Sequence, residues 1–399
     1  MDRPDYKIGY YLITDIQHIP PVVRLYPHLG GVVFTQKRKI AERIQDKYGD
    51  VGIEVVYCKS QLEIQRQIRR RRIRLMIYPS YHVLFGGKAV QIFHGGLSDK
   101  NYVESVKVLV YDLVLFPGEK TKDKVARSGY LRHIPHWQIV GYPKFDPLID
   151  HSLEVKPLFD NGRKAVLYAP TWVSQNVDLK MVKFSDHGES SLDRWGLEIV
   201  KALHEHVNLI IKYHSRIYHK PGDVYEQIGR LVQSLGAQDR VKIMVDDNIL
   251  PYMAQADLMI SDISTACYEW FHFDRPIVFA NPAPDHYHVS DDISSNTYAW
   301  QAGDVFDQAE EIWPLVQRGL EDDPHREKRK QLFEYTVFQP DGHATERQAR
   351  AIIDFYRRYE RWPYWLLMLW TTAFRRHRRT ISKLLNWYYH RFKPERIGK

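Results

Sequence analysis

Two cysteines in 399 residues, Cys58 and Cys267, exclude a disulfide framework. Each stands at the end of or inside an apolar run, as buried thiols of a reducing compartment do, so a cytosolic setting is expected. Long apolar runs are missing too: the longest, 362–374, covers half to two thirds of the ~20 residues that a bilayer-crossing helix needs. The N-terminus, Met1-Asp2-Arg3-Pro4-Asp5, enters Tyr10–Ile13 without a basic flank, a long apolar core or a small-residue cleavage site, and no signal peptide is expected. There is no His-Glu-x-x-His, no Cys-x-x-Cys and no Asp/Asn-rich calcium loop, so no metal and no cofactor is expected despite 19 histidines. Acids are scarce at the C-terminal end: residues 361–399 carry ten Lys or Arg against the single Glu395. That tail holds +9 of a total of +8, which leaves the other 360 residues at −1. The basic balance belongs to an appendage, and nucleic-acid binding by the body loses its compositional basis.

What is present is ample apolar content, 44%, for real cores, and a length that suits two domains. Strand-like runs alternate with helical stretches along the first half: Ile8–Ile13, Val32–Phe34, Ile53–Tyr57, Ile73–Tyr78, Ala89–Phe93, Leu113–Phe116 and Gln138–Val140, with helices over Gln36–Tyr48 and Ser60–Arg72. Strand, crossover helix, strand is the signature of a parallel sheet. Pro143, Pro147, Pro157 and Gly162 punctuate a connection, after which the rhythm restarts at Ala165–Tyr168, Leu209–Tyr213, Val241–Met244, Leu258–Ile260 and Ile277–Phe279. The fold class is therefore α/β with two Rossmann-like domains, 1–160 and 161–345, followed by C-terminal helices over 346–399. Two such domains facing each other would form a cleft, with the informative residues just after strands.

Three stretches meet that condition. Gln91-Ile92-Phe93-His94-Gly95-Gly96 ends a strand in a histidine and two glycines, which suit close substrate approach and proton transfer near neutral pH. His94 is the candidate general base, and an incidental histidine in a strand-to-loop turn is the alternative. Leu258–Ser261 runs into Asp262-Ile263-Ser264-Thr265 and then a helix, placing Ser264 and Thr265 where unpaired N–H groups bind phosphate. Plain N-capping by Asp262 or Ser264 is the competing use. Glu269 either reaches a ribose hydroxyl or lies on a solvated face. Leu209–Tyr213 leads into His214-Ser215-Arg216, where His214, Arg216 and Lys212 are candidates to neutralise a phosphoryl group.

In this arrangement the chain resembles the CDP-glycerol glycerophosphotransferase family over roughly 85–355. Phe93-His94-Gly95-Gly96 is similar to the family's Trp-His-Gly-Thr, Gly141-Tyr142-Pro143-Lys144-Phe145-Asp146 to Gly-x-Pro-Arg-x-Asp, and Leu167-Tyr168-Ala169-Pro170-Thr171-Trp172 to Tyr-Ala-Pro-Thr-Trp. Ser261-Asp262-Ile263-Ser264-Thr265 resembles Thr-Asp-Tyr-Ser-Ser, and Arg275-Pro276 and Asp341-Gly342-His343-Ala344-Thr345-Glu346-Arg347 complete six motifs in one order. Two positions depart: Gly96 replaces a threonine, and His214-Ser215 replaces His-Pro. The resemblance implies a glycosyltransferase B type fold and transfer of glycerol phosphate from CDP-glycerol to a lipid-linked saccharide or glycerol-phosphate acceptor, in teichoic-acid-like or capsule polymer synthesis. By it, His94 and His214 are catalytic, Ser264, Thr265, Asp262 and Arg216 bind the diphosphate, Glu269 and Thr171 the nucleoside, and Gly95 and Gly96 the acceptor. A glycosyltransferase using a nucleotide sugar, or transfer of ribitol phosphate, are the alternatives, and a homo-oligomer is left open.

The tail sets Trp362, Trp365, Leu366, Leu369, Trp370 and Phe374 beside Arg375–Arg379, then Leu384, Leu385 and Trp387 among further cations. Aromatic groups next to arginines suit an anionic headgroup layer, so 361–399 is expected to be a monotopic anchor on the cytoplasmic face of the cell membrane. The acceptor's head would then enter from the bilayer side. A helix docked on the body is the alternative.

Overall fold

The computed structural model describes residues 6–13, 16–84, 86–93, 96–172, 190–214, 223–246 and 248–392. The chain forms two units. One holds 1–96, 103–152 and 337–398, and the other 97–102 and 153–336. The first domain is thus expected to end at 160 and ends at 152, and the chain returns to it at 337, so the C-terminal helices belong to the first unit. Residues 97–102 pack with the second unit although they follow a strand of the first.

The strands of the first unit are β1 (Ile8–Leu12), β2 (Val32–Thr35), β3 (Val55–Tyr57), β4 (Leu75–Tyr78), β5 (Lys88–Gln91), β6 (Leu113–Phe116) and β7 (His136–Ile139). Their order is β3-β2-β1-β4-β5-β6-β7, and every pairing is parallel. The helices are α1 (Ile19–Leu29), α2 (Arg38–Tyr48), α3 (Gln61–Arg70), α4 (Glu119–Arg127) and α5 (Asp146–Ile149). Entry into α3 is fixed locally: Ser60 Oγ accepts the Glu63 N–H at 3.2 Å and the Glu63 carboxylate accepts the Lys59 N–H at 2.8 Å.

The second unit repeats the plan with β8 (Ala165–Ala169), β9 (Asn208–Tyr213), β10 (Val241–Val245), β11 (Leu258–Ser261), β12 (Ile277–Ala280) and β13 (Asp304–Phe306), in parallel order β10-β9-β8-β11-β12-β13. Its helices are α6 (Leu192–Leu203), α7 (Val224–Ser234), α8 (Leu250–Gln255), α9 (Ala266–Phe271), α10 (Ile312–Asp322) and α11 (Arg326–Thr336). Apolar runs such as Leu258–Ile260 are buried on both faces, which is why they read as continuous hydrophobic strands.

Two helices complete the first unit, α12 (Ala344–Arg357) and α13 (Tyr364–Phe392). Ala349, Ile352, Phe355 and Tyr356 of α12 join the apolar core of the first sheet. Within α13, Leu367, Thr371, Arg375 and Ser382 are buried on one side, following the helical period. The buried Arg375 guanidinium donates to the carbonyls of Leu84 (2.6 Å), Gly86 (3.3 Å) and Gly87. Tyr364 donates to Ile68 O and Ser382 to Val106 O, at 3.1 and 3.4 Å. Those carbonyls precede β4, β5 and β6, so α13 crosses the N-terminal ends of the strands. At the first residue of β5, the Lys88 ammonium lies 3.0 Å from the Asp112 carboxylate and 3.2 Å from the Trp370 ring centroid. The docked-helix alternative therefore holds for one side of the tail. The other side leaves Trp365, Leu369, Leu384 and Trp387 about 60% exposed. No helix among the described residues is long and apolar enough to cross a membrane.

Candidate functional site

The second sheet reverses its strand order between β8 and β11, the position where open parallel sheets bind ligands beyond the carboxyl ends of their strands. Ser261, last in β11, pairs in register with Ala169, last in β8, and its hydroxyl donates to the Ala169 carbonyl at 2.9 Å. Asp262 follows, fully buried. Its carboxylate accepts the Thr171 N–H on both oxygens (2.9 and 3.0 Å) and the N–H and hydroxyl of Ser191 (both 2.9 Å). Asp262 thus ties the loop after β8 and the approach to α6 to the end of β11. Burial pushes its pKa up to about 6, against the lowering pull of the Ser191 and Thr171 hydrogen bonds and of the Lys100 charge.

Thr171 is buried as well. Besides its bond to Asp262, its hydroxyl accepts from the Lys100 ammonium at 3.0 Å, and its carbonyl accepts from Ser190 Oγ at 2.8 Å. Asp99 accepts from the Tyr268 hydroxyl of α9 at 2.6 Å and from the Ala299 N–H at 2.9 Å. Two successive charged side chains of 97–102 therefore grip the crossing point of the second sheet. Sequence reasoning missed both, because a buried lysine in Leu97-Ser98-Asp99-Lys100 looks like a solvated loop residue. Ser191 was missed for the same reason.

Ser264 and Thr265 stand half-buried at the start of α9, where Ser264 Oγ accepts the Ala266 N–H at 3.3 Å. That bond takes up the N–H of the first residue of α9, while Thr265, at the N-cap position, makes no side-chain capping bond. Asp262 does not cap this helix, since its oxygens are directed to Thr171 and Ser191. Glu269 is buried on α9, which removes the solvated-face alternative. His214, directly after β9, is half-buried, with its ring 6.3 Å from that of Trp172, three residues beyond β8. Lys212 is expected among the phosphoryl-neutralising groups, yet its buried ammonium donates to the carbonyls of Tyr213 and Asp246, both at 2.7 Å. The structure brings Thr171, Asp262 and Lys100 into direct contact, with Ser264, Thr265 and His214 on the loops beside them. His94, Gly95 and Arg216 lie outside the described residues.

In the first unit, Gly96 is set where a side chain has no room: a Cβ there would meet Phe93 Cβ at 2.9 Å and Pro117 Cγ at 3.1 Å. Its carbonyl accepts from the Thr121 hydroxyl. Three of the six sequence motifs prove to be architecture. Asp146 accepts the N–H groups of Ala344 and Thr345 (3.2 and 2.7 Å), which caps α12 with the first motif of the pair at 141–146 and 341–347. Arg347 binds Asp341 through two bonds (2.8 and 2.7 Å) and the carbonyls of Val140 and Gln339. Arg275 donates to the carbonyls of Met253, Ala254 and Ala256 at the end of α8.

With this geometry in hand, comparison with known proteins gives a consistent answer. No curated protein matches the chain by sequence. Among solved structures it is similar to the wall teichoic acid polymerase TagF, at 14% identity and a TM-score of 0.57, over 89% of this chain and 90% of that one. It is equally similar to a putative UDP-N-acetylglucosamine 2-epimerase from Listeria monocytogenes (13%, TM-score 0.57, 89% and 97% covered) and to S. aureus MnaA with UDP (13%, TM-score 0.56, 88% and 97% covered). At such identities these likenesses establish the fold, two parallel-sheet units of the glycosyltransferase B kind. The family profile of CDP-glycerol:poly(glycerophosphate) glycerophosphotransferases matches residues 98–354, a span that begins just after His94-Gly95-Gly96 and takes in the whole second sheet. The chain belongs to the CDP-glycerol:poly(glycerophosphate) glycerophosphotransferase family.

Proposed function

We propose that the enzyme transfers glycerol phosphate from CDP-glycerol to a hydroxyl of a membrane lipid-linked acceptor, releasing CMP, in the assembly of a teichoic-acid-like surface polymer. The observation that carries this reading is the family match across residues 98–354, which includes every described residue of the strand-order reversal at β8 and β11. The polymerase among the similar structures fits it.

In this mechanism His94 takes the proton from the acceptor hydroxyl as its oxygen attacks the β-phosphorus. The new O–P bond forms in line with the breaking bond to the bridging oxygen, and CMP leaves with that electron pair. No covalent enzyme intermediate is needed, so positioning and charge neutralisation supply the rate. His214, Ser264, Thr265 and Arg216 hold the diphosphate, Glu269 the ribose, and Gly95 and Gly96 admit the acceptor. Asp262 and Thr171 act one step back: with their polar atoms bound to Ser191, Lys100 and each other, they set the loop that presents Trp172 and the turn that presents Ser264.

Charge and exposure support a second element of the proposal, attachment to an anionic membrane at the cytoplasmic face. The undocked side of α13 carries Trp365, Leu366, Leu369, Leu384 and Trp387 with Arg376 and Lys383 between them. Because the opposite side of the helix is buried, removing 361–399 would also strip cover from the first unit, and point substitutions test attachment more cleanly. The functional reading is tested by offering radiolabelled CDP-glycerol, CDP-ribitol and UDP- and GDP-sugars with a panel of lipid acceptors. Release of CMP from CDP-glycerol is expected. Turnover of a nucleotide sugar alone would refute it.

A further inference from the structure

We infer that two copies of this chain pair edge to edge through β7, across a two-fold axis that passes through Trp137 and stands normal to the first sheet. The inference is independent of the transfer reading.

β7 closes one side of the first sheet and has β6 as its only neighbour. The Val140 N–H donates to the Phe116 carbonyl, so at the strand period of two the backbone groups of Gln138 and His136 also face β6. Those of Trp137 and Ile139 face outward. Sheet edges are commonly guarded against pairing by a charge or a cover. β10 carries Lys242, β13 carries Asp304, and the Arg38 guanidinium lies over the Tyr57 ring of β3. β7 reads His-Trp-Gln-Ile, with no lysine, arginine or carboxylate, and its Trp137 is 44% exposed. A cavity of about 340 Å³ runs beside it, lined by Pro135, His136, Trp137 and Gln138 and by Asp354 and Arg358 of α12.

The occupant is a second copy because the groups along this edge complement themselves. A strand that meets its own copy across such an axis pairs antiparallel, with residue i opposite j and j opposite i. With Trp137 on the axis, its outward N–H and C=O exchange both bonds with the partner's Trp137, the hydrogen-bonded pair of an antiparallel ladder. The Ile139 N–H meets the carbonyl of the partner's Pro135, a residue with no N–H of its own to leave unpaired. Side chains agree with the backbone. Trp137 sits on the face away from α12, its ring 6.3 Å from that of Phe116, and meets the partner's Trp137. His136 sits on the α12 face, its ring 5.4 Å from that of Phe355, and meets the partner's Gln138.

α12 obeys the same axis. It runs antiparallel to β7, from its cap on Asp146, beyond the end of the strand, to Arg358, whose Nη1 lies 3.5 Å from His136 Nδ1 at the start. One strand residue advances about 3.3 Å and one helix residue about 1.5 Å, so about two helix residues match each strand residue. Tyr356 is then level with Trp137, and Asp354 with Gln138. The axis that sets His136 against the partner's Gln138 therefore sets Arg358 against the partner's Asp354, and the converse pair follows by symmetry. Within the chain these charges are poorly matched: among the described residues Arg358 pairs with no carboxylate, and Asp354 reaches only Arg357, at 4.0 Å. An unrelated extended segment could take the strand's bonds but has no reason to bring an acid and a base to these two positions. Antiparallel pairing also puts α13 at opposite ends of the joined sheet in the two copies, so a flat bilayer holds at most one copy of a pair by that helix.

Sedimentation equilibrium of the full chain in lipid-free buffer tests the pairing. The wild type is expected to be a dimer, and Asp354→Arg and Arg358→Asp should each raise its dissociation constant at least about tenfold by setting like charges opposite. An equimolar mixture of the two variants should dimerise again, because both arginines of one chain then face both aspartates of the other; misfolded variants would not recover. Hydrogen exchange reads the strand: on dimerisation the Trp137 and Ile139 amides should slow, while those of His136 and Gln138, already bonded to β6, should not. A wild type that stays monomeric at about 100 μM would overturn the inference. So would a dimer that neither substitution weakens, a mixture no tighter than the single variants, or an unchanged Trp137 amide.

Discussion

The backbone N–H of Thr171 donates to both carboxylate oxygens of Asp262, at 2.9 and 3.0 Å, so a buried charge joins the ends of two adjacent parallel strands at the point where the strand order reverses. Neither residue needs to touch a ligand to matter. Asp262 directs the turn carrying Ser264 and Thr265, and Thr171 directs the loop carrying Trp172.

The titration of Asp262 is the first consequence. Its folded pKa, about 6, lies above the ordinary 3.8, so the folded state binds the extra proton between those values. The stability this group contributes is complete below pH 3.8 and is lost as pH rises through about 6, a change of roughly 3 kcal/mol. Urea unfolding of the wild type and Asp262→Asn across pH 4.5 to 7.5 measures it. The wild-type advantage should shrink as pH rises, and a pH-independent difference would contradict the assignment.

Lys100 works on the same carboxylate. Its charge lowers the Asp262 pKa, so Lys100→Met is expected to move the transition to higher pH. The same unfolding series reads the shift, and an unmoved transition would show that the ammonium serves Thr171 alone.

Arg375 makes a stability prediction. Its buried guanidinium satisfies the carbonyls ahead of β5, and Asp112 stands 3.9 Å away. Arg375→Ala should cost about 3 to 5 kcal/mol, and Arg375→Lys should restore little of it, because an ammonium cannot reach the three carbonyls in one plane. Denaturant unfolding, with limited proteolysis of α13, checks both. Full rescue by lysine would mean that charge alone matters.

Gly96 marks a place where the family's threonine does not fit. With Phe93 Cβ and Pro117 Cγ so close, Gly96→Thr is expected to destabilise the first unit by about 1 to 3 kcal/mol. A neutral thermal shift would show that the Phe93 turn rearranges freely.

Much of this architecture can be read from residue patterns, and the misses have physical causes. Strands such as Leu113–Phe116 appear at their observed bounds because apolar runs buried on both faces carry an unmistakable signal. The three-residue β13, Asp304–Phe306, carries too few apolar residues to register. The passage of 97–102 into the second unit and the return of the chain at 337 depend on buried ion and hydrogen-bond partners such as Asp99 with Tyr268, which no local pattern encodes. In the site, Ser264, Thr265 and His214 stand where strand ends place them, whereas Asp262 is identifiable as important from its motif but not as the carboxylate that holds Thr171 and Ser191. The tail's composition shows an amphipathic helix. That its cationic Arg375 points inward, to carbonyls, could only come from three dimensions.

The most direct test of the whole account is CMP release from CDP-glycerol by the wild type and by His94→Ala, with CDP-glycerol binding measured alongside. Loss of a general base should lower turnover by about 10² to 10⁴ while donor affinity is retained. Wild-type turnover by His94→Ala would contradict the account at its centre.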